Sequence, residues 1–132
     1  IPAICYEVIF SAGIREFVDR GGNIIVNPVS DSWFGDSAGS SQHFSLALFR
    51  AVEYRLPLVR VANSGISAIV TASGKIEKET RLLKKTSLSA TVKIPGERSV
   101  YARWGDSFLY VISLLFVVGL ISRLVRVPAG KG

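Results

Sequence analysis

The feature that most constrains this chain is an uncharged apolar stretch close to its C-terminal end. It covers residues 107–122 and reads SFLYVISLLFVVGLIS. As an α-helix these residues cover about 24 Å, and an extension to Val125 covers about 28 Å, close to the roughly 30 Å hydrocarbon core of a bilayer. Large apolar side chains occur on every side of such a helix, so no polar face remains for water. The competing interpretation is a helix packed on the core of a soluble protein.

The residues that flank this stretch are of the types found at the two surfaces of a membrane. Trp104 and Tyr110 lie at one end, and Arg123, Arg126 and Lys131 lie at the other. Aromatic side chains favour the membrane interface, and basic residues accumulate on the cytoplasmic side. We therefore predict that the segment spans a membrane, with its C-terminal end in the cytoplasm and the rest of the chain on the outer face.

The residues that precede this segment alternate between strand and helix patterns. Apolar runs of strand length occur at Ile1–Ile4, Asn23–Val29, Leu58–Ala62, Ser67–Thr71 and Ser87–Ile94. Helical spacing covers Ser41–Leu56 and Val8–Arg20, where Phe10, Ile14, Phe17 and Val18 fall on one face. This order predicts an α/β fold. We expect a folded part over residues 1–103, a transmembrane helix over 104–126 and a cytoplasmic tail over 127–132.

The one cysteine, Cys5, lies between the first apolar run and the first helical pattern. A strand that turns into a helix through one residue makes a sharp elbow, and a thiol there meets the N–H groups at the start of the helix. Such a position suits a nucleophile, because the same N–H groups can stabilise a developing oxyanion. The alternative is a small buried apolar residue, which is the commoner role of a single cysteine.

A cysteine nucleophile needs a base, and this chain offers two candidates. His43 is the only histidine, but no Asn or Asp partner is indicated by spacing, so we predict a packed histidine. Glu7 is two residues from Cys5, and residues that close do not face each other on a helix. We therefore expect Glu7 to be a buried structural or supporting carboxylate, and we expect the base to lie outside this chain.

The net positive charge of the chain restricts the kinds of partner that it can bind. The net charge of +6 suits phosphates, either of lipid headgroups or of nucleic acid. We exclude a nucleic-acid-binding protein, because no stripe of basic residues with interleaved aromatic residues occurs. We expect no metal and no cofactor. The apolar start at Ile1-Pro2, without an initiator Met, suggests a piece of a longer protein.

Several short motifs together resemble a known family. They read ICYE, SDSWFG, QHFSLALFRAVEYRLPLVRVANSGISAIV and VYARWGD, the last followed by the apolar stretch. In this order and spacing they resemble the C-terminal part of the apolipoprotein N-acyltransferases, the membrane-bound branch of the nitrilase or carbon–nitrogen hydrolase superfamily. The resemblance implies the C-terminal part of a nitrilase-like α-β-β-α sandwich followed by one transmembrane helix.

The resemblance also implies roles for individual residues. Cys5 matches the nucleophile that carries an acyl group as a thioester, and Tyr6 and Glu7 match the two supporting residues after it. The other matching positions are Trp33 and Phe34, near the acyl-chain entrance, and Asn63, Ser64 and Gly65, in a turn beside the active site. The base glutamate and the lysine of the family lie upstream of the cysteine, outside this chain.

The implied reaction transfers an acyl chain from a phospholipid to the N-terminal amine of an apolipoprotein. The resemblance further implies a monomer in the bacterial inner membrane, with the catalytic part in the periplasm. Two alternatives remain open at this point. One is a soluble nitrilase or amidase that uses the same nucleophile, and the other is a structural fragment without activity. We expect this chain alone to be inactive, because the base and the lysine are not part of it.

Overall fold

The computed structural model describes residues 1–126, with side chains described as far as Leu124. The predicted tail over 127–132, including Lys131, lies outside the described residues. The helices are α1 (Ser11–Asp19), α2 (Gly39–Tyr54), α3 (Val100–Trp104) and α4 (Ser107–Arg126), and short 3-10 helices cover Cys5–Ile9 and Ser32–Phe34. The strands are β1 (Ile25–Val29), β2 (Leu58–Ala62), β3 (Ala68–Val70) and β4 (Ile76–Glu79).

The four strands form one mixed sheet in chain order. β1 and β2 are parallel and are joined through α2, whereas β2, β3 and β4 pair antiparallel through short turns. Parallel neighbours require a crossover connection of this kind. The N-terminal residues continue the sheet beyond β1, where Pro2 forms a parallel bridge with Val26. The predicted α/β fold is therefore confirmed.

The core lies between the sheet and helices α1 and α2. Its side chains come from both layers and include Val8, Ile14, Val18, Ile25, Phe44, Ala47, Ala51, Leu58 and Val70. The α2 residues in this list recur at helical spacing, as the sequence pattern predicts. α1 ends at Asp19, and two residues later the chain turns at Gly21, whose φ of +93° is a conformation that suits glycine.

The predicted face of α1 is only half right. Ile14 and Val18 are buried, but Phe17 is 38% exposed and Phe10 is 61% exposed. The reason is a break that the pattern does not reveal, because the backbone at Phe10 is extended and separates the first 3-10 helix from α1. Phe10 is thereby turned away from the core.

The predicted strand over Ser87–Ile94 is wrong. Within the described chain this segment forms no ladder, and its residues are mostly exposed. The edge of the sheet beside β3 is taken by Ile76–Glu79, which follows β3 through a tight turn closed by a hydrogen bond from the Gly74 N–H to the Thr71 carbonyl (2.9 Å). A segment that follows β3 after so short a turn pairs with it at a low cost in loop-closure entropy. A later segment must close a longer loop to reach the same edge, and that costs more entropy.

A short junction separates the folded part from the last helix. Ser99 begins α3, where its hydroxyl accepts from the Ala102 N–H and donates to the Glu53 carbonyl of α2. Gly105 ends it with φ +53° and ψ −133°, which favour glycine. A Cβ atom at Gly105 would also collide with the Arg15 guanidinium. Trp104 therefore belongs to α3, and the final helix begins at Ser107.

α4 stands apart from the rest of the fold. Its 18-residue window Ser107–Leu124 has a mean hydropathy of 2.1, and 0% of it is buried. By length and composition this helix is able to cross a membrane. Within the described residues no other element covers this window.

Candidate active site

Cys5 is one of three non-glycine residues with positive φ in the described part of the chain, and the other two are Arg55 and Leu83. Cys5 has φ +49° and opens a 3-10 helix directly after the segment that pairs with β1. Residues other than glycine rarely adopt positive φ, and those that do concentrate at functional sites. The Cys5 side chain is half-buried and its thiol is free. The predicted turn from an extended segment into a helix is therefore present, with local strain at the cysteine itself.

Glu7 closes this turn. Its carboxylate accepts from the Ile4 N–H (2.8 Å), and its own N–H donates to the Ile4 carbonyl (3.0 Å). The carboxylate bond is the glutamate half of a capping box, and it pairs an N–H at the helix start. The second bond is the first i→i+3 bond of the 3-10 helix. Glu7 is exposed, so its predicted burial is wrong. Its carboxylate nevertheless has a structural role, because it binds the Ile4 N–H at the N-terminal end of the 3-10 helix.

A buried amide holds the elbow from inside. Asn27 in β1 is 0% exposed, and its Nδ2 atom donates to the Ala3 carbonyl and to the Cys5 carbonyl (3.2 Å). Its Oδ1 atom accepts from the Nη1 atom of Arg60 (2.7 Å). The parallel register of β1 and β2 makes Asn27 and Arg60 direct neighbours. The sheet thus connects the elbow to a buried cation.

Asp31 pairs with that cation. The Arg60 Nη2 atom lies 2.9 Å from Asp31 Oδ2, and neither side chain is accessible to solvent. The Arg60 Nε atom donates to the Ile66 carbonyl (3.3 Å), and the guanidinium lies 6.0 Å from the centre of the Phe44 ring. Burial lowers the pKa of Arg60 from its usual value, and the charge of Asp31 opposes that shift. A buried cation of this kind requires its carboxylate partner.

His43 completes the network from α2. Its Nδ1 atom lies 2.9 Å from Asp31 Oδ1, and since an ionised carboxylate only accepts, Nδ1 carries the proton in this bond. The ring is 2% exposed and packs against Tyr6 (5.2 Å between ring centres) and Phe34 (6.0 Å). Its Nε2 atom is buried without a partner among the described residues. The prediction of a packed histidine is confirmed. Its partner is Asp31, which the spacing of residues in the sequence did not indicate.

The turn between β2 and β3 covers the network. Gly65 is buried, and a Cβ atom there would lie 2.2 Å from Asp31 Oδ2. Asn63 is exposed and its N–H donates to the Val29 carbonyl (3.0 Å), while the Ser64 hydroxyl is buried without a partner among the described residues. The structure therefore places this turn against Asp31. Asp31 pairs with Arg60, Arg60 binds Asn27, and Asn27 binds the elbow, so the turn and the elbow are connected.

The two loop aromatics point in different directions. Trp33 is 85% exposed. Phe34 is half-buried, and it packs against His43 and against Gly39 at the start of α2. Only Trp33 is thus free to contact another molecule, although the same role near the acyl-chain entrance was predicted for both side chains.

No base for Cys5 is found in the described part of the chain. The Cys5 thiol forms no hydrogen bond there. The Nδ1 atom of His43 is held by Asp31, and its Nε2 atom has no partner among the described residues, the Cys5 thiol included. The described residues also contain no cluster of His, Cys, Asp and Glu able to hold a metal ion. The geometry provides a free thiol on a strained backbone at the start of a helix, and a buried polar network holds that backbone through Asn27. Such an arrangement suits nucleophilic attack when a base is supplied from elsewhere.

Sequence reasoning missed three members of the network, Asn27, Asp31 and Arg60. A signal was present, because Asn27 and Arg60 are polar residues at the inward positions of otherwise apolar strands. A polar side chain at such a position needs a buried partner. Which partner it finds depends on the strand register, which the sequence pattern leaves open.

The chain is similar in sequence to known proteins. The sequence model of the carbon-nitrogen hydrolase family matches residues 2–102. An apolipoprotein N-acyltransferase of Geobacter metallireducens is 41% identical over 107 residues, which are 81% of this chain and 20% of that protein. An apolipoprotein N-acyltransferase of Haemophilus influenzae is 37% identical over 117 residues, which are 89% of this chain and 22% of that protein.

A solved structure shows the same fold. The crystal structure of a carbon-nitrogen hydrolase from Helicobacter pylori G27 superposes with a TM-score of 0.57 at 14% identity, over 64% of this chain and 36% of that chain. This chain spans about a fifth of the length of the two acyltransferases that it matches. The match to the carbon-nitrogen hydrolase family, over residues 2–102, includes the Cys5 elbow.

Proposed function

Because this chain belongs to the carbon-nitrogen hydrolase family, we propose that Cys5 is the nucleophile of an acyl-transfer reaction in a longer protein. The observation that carries the proposal is the Cys5 elbow, in which a free thiol with φ +49° opens a helix and is held by Asn27 and Glu7. Strain at one non-glycine residue persists only where the surrounding structure enforces it. Arg55 and Leu83 also have positive φ, so the strain supports the proposal only together with the free thiol and its position at the start of a helix.

The proposed reaction has two steps. The Cys5 thiolate attacks the ester carbonyl of a phospholipid, a C–S bond forms, and the ester C–O bond breaks to release a lysophospholipid that takes up a proton. The amine of an apolipoprotein then attacks the thioester, a C–N bond forms, and the C–S bond breaks to restore the thiol. Covalent catalysis of this kind divides one difficult transfer into two easier steps. The relatives named apolipoprotein N-acyltransferase support this choice of donor and acceptor.

Helix α4 favours a lipid donor over a small soluble substrate. Its apolar side chains are exposed over the whole window Ser107–Leu124, and an exposed apolar surface of this size calls for an apolar environment. We propose that α4 spans the bacterial inner membrane with its C-terminal end in the cytoplasm. The Cys5 elbow then lies on the periplasmic side. A soluble nitrilase or amidase, the alternative, leaves α4 without a function.

The remaining residues have supporting roles in this proposal. Tyr6 packs on His43, Glu7 closes the turn, and the turn at 63–65 covers Asp31. The exposed Trp33 side chain is proposed to contact the acyl chain. The base that accepts the thiol proton is supplied by the upstream part of the longer protein, so we expect this chain alone to be inactive.

Trapping the thioester tests the proposal. The full-length protein is incubated with a phospholipid of defined acyl chain, digested, and analysed by mass spectrometry before and after treatment with hydroxylamine. We expect one acyl group on the peptide that contains Cys5, removed by hydroxylamine and missing in Cys5→Ala. Cys5→Ser should lose most of the activity as well, because an alkoxide forms far less readily than a thiolate near neutral pH. An acyl adduct that persists in Cys5→Ala would overturn the assignment.

A further inference from the structure

The peptide between Cys5 and Tyr6 is held in one orientation by a single buried side chain. The Cys5 carbonyl accepts from Asn27 Nδ2 (3.2 Å), and Asn27 is wholly buried. The chain contains no cis peptide bond among its described residues. In a planar trans peptide the C=O and the N–H point in opposite directions. Since the Cys5 carbonyl points inward to Asn27, the Tyr6 N–H points away from the buried amide.

The Tyr6 N–H is also left without an acceptor. No hydrogen bond from it occurs within the described chain, although the next N–H, that of Glu7, donates to the Ile4 carbonyl (3.0 Å). The first N–H groups of a helix have no partner within the helix. Tyr6 is 52% exposed. An N–H directly after the cysteine is therefore available to a group that approaches the thiol.

The orientation of the Asn27 amide follows from its neighbours. A guanidinium only donates and a carbonyl only accepts. The Oδ1 atom must therefore face Arg60 Nη1 (2.7 Å), and the Nδ2 atom must face the carbonyls of Ala3 and Cys5. Arg60 is in turn held by Asp31 through the buried ion pair. No rotation of the amide satisfies both sides in another way.

We propose that Asn27 is a positioning residue for acyl transfer, which holds the Cys5–Tyr6 peptide so that the Tyr6 N–H faces the oxyanion formed at the thiol. The inference rests on the proposed function, because an oxyanion forms only when the thiol attacks a carbonyl. Asn27 itself is shielded from solvent and does not touch the substrate. Arg60 contributes by holding the Asn27 amide.

Asn27→Asp separates this role from a general structural one. The substitution keeps the size of the side chain and the acceptor that faces Arg60, but it replaces the donor to the elbow by an oxygen. In the full-length protein we expect the rate of thioester formation from phospholipid to fall about 100-fold, the usual effect of losing one oxyanion donor. The KM for phospholipid should stay the same, since the buried side chain does not contact lipid.

A second reaction of the same thiol provides the comparison. Alkylation of Cys5 by iodoacetamide is a displacement at carbon that forms no oxyanion, so it does not use the Tyr6 N–H. The alkylation rate of each variant and of the wild type is measured over a range of pH, and the plateau rates at high pH are compared. At the plateau the thiol is fully ionised in every protein, so an effect of the new carboxylate on thiol ionisation does not enter the comparison. We expect the plateau in Asn27→Asp to remain within about threefold of the wild type, because only carbonyl attack requires the donor.

Two further variants complete the experiment. Asn23→Asp is a matched control, because Asn23 is exposed at the other end of the same segment, and both rates should equal those of the wild type. Asn27→Ser removes the reach of the amide without adding charge, and it replaces Asn27→Asp if that variant does not fold. It should show the same loss of acylation with alkylation retained.

The outcomes are distinct. Thioester formation at the wild-type rate in both Asn27 variants would overturn the inference, and so would an equal loss of acylation and alkylation. A wild-type protein that alkylates at Cys5 but never forms a thioester would instead overturn the proposed function, and the inference with it.

Discussion

The Nη2 atom of Arg60 lies 2.9 Å from the Oδ2 atom of Asp31, and both side chains are completely shielded from solvent. Two charges are removed from water here, and their attraction offsets that cost only because the other polar atoms are also paired. Asp31 Oδ1 is paired with His43 Nδ1 (2.9 Å), and Arg60 Nη1 is paired with Asn27 Oδ1 (2.7 Å). The ion pair thereby links α2 to both parallel strands and, through Asn27, to the elbow.

Removing one partner of this ion pair should be costly. Asp31→Asn leaves the Arg60 charge buried without compensation, and we expect the free energy of unfolding to fall by about 3–5 kcal/mol. Chemical denaturation of the detergent-solubilised full-length protein, followed by a probe in this part of the chain, measures the change. The control is Asp36→Asn, an exposed position in the same loop, which should change the free energy by less than about 0.5 kcal/mol. A loss below about 1 kcal/mol for Asp31→Asn would contradict this reading of the pair.

Gly65→Ala should destabilise the protein through Asp31. The new Cβ would lie 2.2 Å from Asp31 Oδ2 and 2.8 Å from Asp31 Cβ. The Asp31 carboxylate is held by Arg60 and His43 and is unable to move aside, so we expect a loss of about 1–3 kcal/mol, typical of overpacking. Gly96→Ala is the matched control, because nothing lies within 4 Å of a Cβ there. Equal unfolding midpoints for the two variants would show that the turn at residues 63–65 adjusts freely.

Trp33→Ala should lower activity toward lipid without lowering stability. Trp33 is 85% exposed, so its removal takes little from the core. Burial of a large apolar side chain contributes about 1.5–3 kcal/mol, and we expect kcat/KM for the phospholipid to fall about tenfold or more if the indole contacts the acyl chain. Phe34→Ala is the contrast, since Phe34 packs on His43 and its loss should lower the melting temperature. A large drop in melting temperature with unchanged turnover in Trp33→Ala would instead assign Trp33 to folding.

The membrane topology of α4 can be measured in cells. We expect a reporter that is active only in the cytoplasm to be active when fused after Lys131. We also expect a cysteine introduced at Lys75, which is exposed in the turn before β4, to react with an impermeant thiol reagent in intact spheroplasts. A variant that carries the new cysteine in a Cys5→Ala background avoids labelling of Cys5. A silent reporter, or a Lys75 site that reacts only after the membrane is broken, would rule out the proposed orientation.

Periodicity in the sequence predicts those elements whose burial repeats along the chain. α2 and β2 form where the apolar spacing places them, and the apolar stretch after Trp104 forms one uninterrupted helix. The break at Phe10 and the pairing of β4 were not predicted. The first depends on backbone angles at one residue, and the second depends on which segment reaches the edge of β3 first.

The sequence by itself determined the α/β layers, the apolar final helix and the place of Cys5 between an extended segment and a helix, because each of these depends on neighbouring residues. Only the tertiary structure decided what surrounds that cysteine. Asn27 and Arg60 are 33 positions apart and Asp31 and His43 are 12 apart, so no local pattern connects them. The parallel register of β1 and β2 and the return of α2 over the sheet bring these polar groups together. Once they are buried, each must find a partner, since an unpaired polar group in the core would cost more than the fold can spare.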